Sequence, residues 1–238
     1  MRTIEADDPS KLSRRDWLRS AATVAATGSV LAKGGTIAEG RATRFQVACM
    51  TLPYSRFPLA RALSGIKSAG YRYVAWGTTH LEGLDSVPIL TPEAAPERAR
   101  ELGKRCRDLG LEPLMMFSGI YPEAPEALAV FKSRIAQAEA AGIPQVLTFG
   151  HTRGADRKLW VDRFKQLGPV ARDHGVTIVV KQHGGETGTG AACASIVREV
   201  DDEGIMVNYD AGNVMDYLDV DPIPDIQGCA DVVRSFCI

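Results

Sequence analysis

Lys181 and His183, and further along Asn208 and Asp210, are the residues of this chain whose types and spacing point to chemistry. The first pair closes the apolar run in VTIVVKQHGGETGTG, Val176 to Gly190; the second lies in IMVNYDAGN, Ile205 to Asn213. Each run opens with β-branched residues, the mark of a buried parallel strand, and turns polar at its end. Residues two apart on a strand project to the same face, so two strand tips would present polar pairs to one shared pocket. Lys181 follows Ile178, Val179 and Val180. An ammonium in such company must be solvated in a pocket or paired, because burying it alone is too costly. Two readings stay open: an ion pair inside the fold with Asp210, or a cation that binds a substrate oxyanion or moves a proton.

Three of the four histidines fall at the ends of predicted strands. His80 follows the second strand in Gly77-Thr78-Thr79-His80, His151 follows the fourth in Gly150-His151-Thr152-Arg153-Gly154, and His183 stands at the tip of the fifth. His174 instead ends a helix before Gly175, where a cation complements the helix dipole, and its role is structural. Gly184, Gly185, Gly188 and Gly190 form a turn ahead of a helix whose N-terminal amides would hold an anion; a merely permissive loop is the plainer alternative.

These residues are positioned by a repeat of about 30 residues, an apolar run and then a helical segment, the signature of βα units and a parallel sheet. The pattern predicts seven strands, at Phe45–Met50, Tyr71–Trp76, Leu111–Phe117, Gln145–Phe149, Val176–His183, Ile205–Asp210 and Val232–Ile238. Helices are predicted at Leu59–Ala69, Pro92–Leu109, Ala124–Ala141, Lys158–His174, Ala191–Glu203 and, briefly, near Pro224–Cys229. Gly70, Gly110, Gly142, Gly175 and Gly204 stand just beyond the last turns, where a left-handed cap is favoured. Such units close into a barrel or open into a doubly wound sheet, and the pattern alone does not choose. Thr51-Leu52-Pro53-Tyr54 follows the first strand in place of a glycine-rich phosphate fingerprint, which favours the barrel. In an α/β barrel the reacting groups sit at the C-terminal ends of the strands, where His80, His151 and His183 fall.

With 238 residues, 45% hydrophobic and 24% charged, the chain can bury one sizeable core. Lys and Arg number 28 against 29 Asp and Glu, a formal net charge of −1, which carries no electrostatic footprint for nucleic acid or an anionic membrane. A small polar substrate is the default partner, and an oligomer is open. The five cysteines show neither CxxC nor zinc-ligand spacing and read as small buried hydrophobes.

Residues 1–42 read as an export segment rather than as fold. Ser13-Arg14-Arg15-Asp16-Trp17-Leu18 is similar to a twin-arginine signal, and the uncharged Ser20 to Ala32 run behind it is too short to span a bilayer. An amphipathic N-terminal helix would need a polar face that Ala21 to Ala32 lacks. The expectation is periplasmic export, with cleavage after Ala42 and no stable membrane span.

From residue 45 to 238 the chain resembles the xylose isomerase-like TIM barrels of the sugar phosphate isomerase/epimerase superfamily, most specifically in KQHGG and DAGN. The resemblance implies an α/β fold, a (β/α)8 TIM barrel, incomplete here over 43–238 because a full barrel runs to roughly 250 residues and about seven strands are present. It implies that a His after strand seven and a Glu on strand eight, both metal ligands in relatives, would lie beyond Ile238. It also implies a divalent metal (Mn, Mg or Zn), with Asp210 as ligand. Lys181 stands where relatives carry a ligating Glu, however, and an ammonium repels a cation. Asn213, where relatives often have His, would hydrogen-bond a sugar hydroxyl, with His80 and His151 as further substrate-binding residues. The implied activity is a sugar isomerase or epimerase, moving a proton next to a carbonyl through Lys181, His183 and Asp210. A keto-sugar lyase or hydratase on the same barrel, and a non-catalytic carbohydrate-binding or inactive barrel, are the alternatives. The superfamily's endonucleases are disfavoured by the absence of a basic surface signal.

Overall fold

The computed structural model describes residues 45–154 and 156–238, so the twin-arginine segment and its cleavage site lie outside the described residues. Seven parallel strands form one sheet: β1 (Ala48–Met50), β2 (Tyr73–Trp76), β5 (Glu112–Phe117), β6 (Gln145–Phe149), β7 (Thr177–Lys181), β8 (Ile205–Asp210) and β9 (Val233–Cys237), neighbours in that order. The crossovers carry α1 (Leu59–Ser68), α2 (Pro96–Asp108), α3 (Ala127–Ala141), α4 (Arg157–Asp173) and α5 (Gly190–Val200), and between β8 and β9 run α6 (Ala211–Leu218) and α7 (Pro222–Gln227). The sheet curls as an open part of a TIM-type barrel, and the ring of Phe45 meets Phe236 edge to face at 6.4 Å.

Alternation along the strands sorts the core into two layers. Ala75, Met115, Leu147 and Val179 point to the concave side, joined by Ala48, Met50, Phe117 and Met206. Their neighbours Val74, Trp76, Met116, Val146, Ile178 and Val180 point outward against Phe131, Ile135, Trp160, Phe164 and Ile196 of the helices. Both faces are covered, which is why these strands read as continuous apolar runs. Burying each such side chain contributes roughly 1.5–3 kcal/mol.

Four features differ from the sequence expectation. The strand expected over Val176–His183 ends at Lys181, because Gln182 turns away to accept a hydrogen bond from Asp210 N at 2.7 Å and Gly184 and Gly185 take positive φ. A hairpin, β3 (Thr79–Glu82) with β4 (Asp85–Pro88), follows β2 where a simple loop is expected. Helix α6 starts directly on Asp210, whose side chain caps it by accepting from Asn213 N. Gly204 does not end α5; Asp201 takes the left-handed position at φ 55°. A Cβ at Gly204 would lie 2.1 Å from the Gly168 carbonyl oxygen, so glycine there permits α4 and the start of β8 to touch.

Candidate functional site

Register brings the polar strand ends together. Lys181 pairs with Phe149 on one side and Asn208 on the other, while Asp210 pairs with Cys237. Lys181 Nζ lies 2.9 Å from Asp210 Oδ2, both side chains being more than four-fifths buried. Each oxygen of Asp210 has a partner: Oδ1 accepts from Asn213 N at 2.8 Å and Oδ2 takes the lysine. Beside them Asn208 Nδ2 donates to Ser235 Oγ at 2.7 Å. Burial pushes the Cys237 thiol above its ordinary range, and the nearby Lys181 ammonium pulls it the other way.

His183 adjoins this pair through a wall of rings. Its Nδ1 is 2.8 Å from the Gly150 carbonyl oxygen, which only accepts, so Nδ1 carries the proton and a neutral ring keeps its lone pair on Nε2. Phe149 lies 4.5 Å from it and Tyr217 5.2 Å, centroid to centroid. Tyr121 meets Phe149 edge to face and stacks on His151 at 3.8 Å. Lys181, Asp210, His183 and His151 are thus gathered at the C-terminal ends of β6, β7 and β8.

Two expected substrate-binding residues are used otherwise. His80 is not on a loop; it is buried within β3 with Nδ1 2.8 Å from the Phe57 carbonyl oxygen, pinning the hairpin to the segment after β1. Asn213 Nδ2 donates to the Gln182 carbonyl at 2.6 Å, which ties α6 to the end of β7. The helix N-terminus after the glycine-rich turn already has its anion: Asp225 Oδ2 accepts from Gly190 N at 2.7 Å and from Tyr209 OH at 3.0 Å. The turn itself packs backbone on backbone, since a Cβ on Gly185 would fall 2.6 Å from the His151 carbonyl oxygen. The expected role of His174 agrees with the structure: it ends α4 and bonds Glu139 at 2.8 Å.

Cys237, Gln182 and the rings of Tyr121, Phe149 and Tyr217 were not singled out by the sequence reading. Register arithmetic from Asp210 reaches Cys237 only once β9 is aligned, and ring contacts across loops leave no mark in spacing.

Among the described residues the donor set does not fit a divalent ion. Such sites assemble three or four protein ligands or make up the number with water. Among the described residues no three His, Cys, Asp or Glu side chains come together for one. The carboxylate that would anchor it, Asp210, already holds an ammonium and a helix cap.

A parallel βα sheet whose strands neighbour one another in chain order, without the reversal of a doubly wound sheet, and whose polar groups gather at the C-terminal ends, is of the TIM-barrel type. The chain belongs to the xylose isomerase-like TIM barrel family, whose model matches residues 63–232. None of the curated proteins matches this sequence. Among solved structures the chain is similar to a xylose isomerase-like TIM barrel protein from Mycobacterium smegmatis in complex with magnesium (18% identity, TM-score 0.65, 81% of this chain and 74% of that one). It is similar also to the 3-keto-D-glucoside 4-epimerase of E. coli (12%, 0.64, 81% and 78%) and to the probable 3-DHS dehydratase AsbF of Bacillus anthracis (15%, 0.63, 81% and 72%). At these identities the likeness is one of fold.

Proposed function

We propose that this chain is a sugar isomerase or epimerase-like enzyme that moves a proton next to a carbonyl of a carbohydrate derivative, with the Lys181 ammonium in place of a metal. The observation that carries the proposal is the Lys181–Asp210 pair on the concave face at the ends of β7 and β8, beside His183. Asp210 orients Lys181, and the ammonium donates a hydrogen bond to the substrate carbonyl oxygen. His183 Nε2 takes the proton from the adjacent carbon, the electron pair moves onto oxygen, and the enediolate rests on Lys181. A proton delivered by water to the opposite face of the same carbon gives the epimer; return of the proton from His183 to the neighbouring carbon gives the isomer, provided that Lys181 gives its proton to the enediolate oxygen and takes the one from the neighbouring hydroxyl. Tyr217, Phe149, Tyr121 and His151 supply apolar ring surface for the body of the sugar.

The proposal includes export to the periplasm, supported by Ser13-Arg14-Arg15 ahead of an uncharged run. No described helix is long and apolar enough to cross a membrane.

The test incubates the chain with a panel of ketoses and keto-glycosides in D2O and follows deuterium next to the carbonyl by NMR. Incorporation by the parent that falls by at least about a hundredfold in Lys181→Met and in His183→Gln is the expected result. A loss of water from the sugar instead of exchange would move the reaction to the lyase class, since elimination starts from the same enediolate. No exchange with any panel member that binds would leave a carbohydrate-binding barrel and overturn the enzyme reading.

A further inference from the structure

Arg134, on α3, is 7% exposed and forms none of the ion pairs among the described residues. Its hydrogen bonds use only part of the guanidinium. Nε donates to the Ser118 carbonyl at 3.0 Å, and Nη1 donates to the Leu90 carbonyl at 3.0 Å and to Gln137 Oε1 at 2.9 Å. These acceptors are neutral, and none of the described residues takes a bond from Nη2. Burial accordingly pulls the guanidinium below its ordinary value, with Glu93 acting weakly the other way.

The side chain lines a cavity of about 310 Å³ between the C-terminal ends of β2 and β5 and the Pro88–Glu93 segment. Nη2 lies on the Gly119 side, where a Cβ would come within 3.5 Å of it; glycine there, at φ 71°, leaves the nitrogen uncovered. The rest of the lining is largely apolar, including Trp76, Leu90, Met116 and Phe117, and Arg134 is the only basic residue among the described ones that line it. The exposed carboxylate of Glu93 stands on the rim.

We propose that this cavity is a binding site for a small organic monocarboxylate, whose carboxylate takes the Nη2 edge of Arg134 while its apolar body lies on Trp76, Leu90 and Met116. A buried guanidinium with no acid partner gains most from an anion, and an arginine edge matches a carboxylate's planar geometry. One cation facing one rim carboxylate favours a monoanion over a phosphate dianion. The proposal does not rest on the reading of the Lys181–Asp210 pair.

Benzoate and its neutral analogue benzamide test it by calorimetric titration of the full chain, alongside Arg134→Gln, Glu93→Gln and Lys181→Met. One benzoate per chain is expected, bound at least about tenfold more tightly than benzamide, because a charge-assisted hydrogen bond outweighs a neutral one. Binding should vanish in Arg134→Gln, strengthen in Glu93→Gln and persist in Lys181→Met. Because Arg134 also pins two loops, Arg134→Gln can fail to fold; the benzoate preference of the parent and the gain in Glu93→Gln then decide. Equal affinity for the two probes, no gain in Glu93→Gln, loss of benzoate in Lys181→Met, or equally tight binding of inorganic phosphate would each overturn the assignment.

Discussion

Lys181 Nζ stands 2.9 Å from Asp210 Oδ2, across adjacent parallel strands, with the other oxygen of the same carboxylate capping the helix that begins one residue later. One aspartate therefore neutralises a buried cation and starts a helix. Of the two readings of Lys181 that spacing left open, the structure shows the ion pair; the functional cation is what we propose. An ammonium held by a carboxylate at the end of a barrel strand is both paired and aimed at the face where barrels do chemistry.

Asp210→Ala should destabilise the fold by about 3–5 kcal/mol, because it strands a buried ammonium and removes a helix cap together. The double variant Lys181→Met, Asp210→Asn should recover most of that loss, since it deletes the charge and retains a capping oxygen. Urea denaturation of the parent, Asp210→Ala, Lys181→Met, Asp210→Asn and the double measures the coupling. A double variant as unstable as Asp210→Ala, although it keeps a capping oxygen, would mean that the ion pair itself, and not the cap or the stranded charge, carries the stability.

The thiol of Cys229 is pushed up to about 11 by burial first and by the Asp225 carboxylate second, and burial raises Cys193 still further. A raised thiol value means that the folded state holds its proton more tightly than the unfolded state does. Its contribution to stability is complete below the ordinary value of 9.0 and is lost as pH climbs through about 11. The melting temperature should accordingly fall between about pH 9 and 11, and the fall should be shallower in Cys193→Ala, Cys229→Ala. An equal slope in parent and variant would assign the alkaline loss to other groups.

The sheet was legible because its strands are buried on both faces: Gln145–Phe149 and Ile205–Asp210 were bounded to the residue by their apolar runs. What escaped depends on contacts distant in sequence. Nothing in Thr79–Pro88 announces a hairpin, as the alternation there is weak and only Gly83 marks the turn. His80 reads as a mouth histidine until the carbonyl of Phe57 is found to hold it. The anion site expected from Gly184–Gly190 failed for a related reason. Asp225, thirty-five residues beyond Gly190, fills it, and no local pattern reports that.

Export is tested independently of fold. Replacing Arg14 and Arg15 by Lys keeps the charge and removes the guanidinium pair of Ser13-Arg14-Arg15, so the double variant should remain in the cytoplasm. Cell fractionation compares it with the parent, and equal export of the two would refute the twin-arginine reading.

In the proposed mechanism Lys181 is the residue on which the site's chemistry turns. If the ammonium fills the role of a cation, the parent should bind Mn²⁺ weakly, because Asp210 is committed to Lys181 and to the α6 cap and Lys181 repels a second cation. Lys181→Glu reverses both terms at once: it removes the repulsion and sets a second carboxylate beside Asp210, two residues before His183. Mn²⁺ affinity should then rise by at least about tenfold by isothermal titration, water completing the coordination sphere. The variant should lose any deuterium exchange that needs no added metal, since the group proposed to hold the oxyanion is gone. Lys181→Gln separates the contributions, because it removes the repulsion without adding a ligand and should give an intermediate affinity. Tight stoichiometric Mn²⁺ binding by the parent, unchanged in Lys181→Glu, would show that Lys181 does not occupy a ligand position and that the chemistry of this barrel lies elsewhere on its C-terminal face.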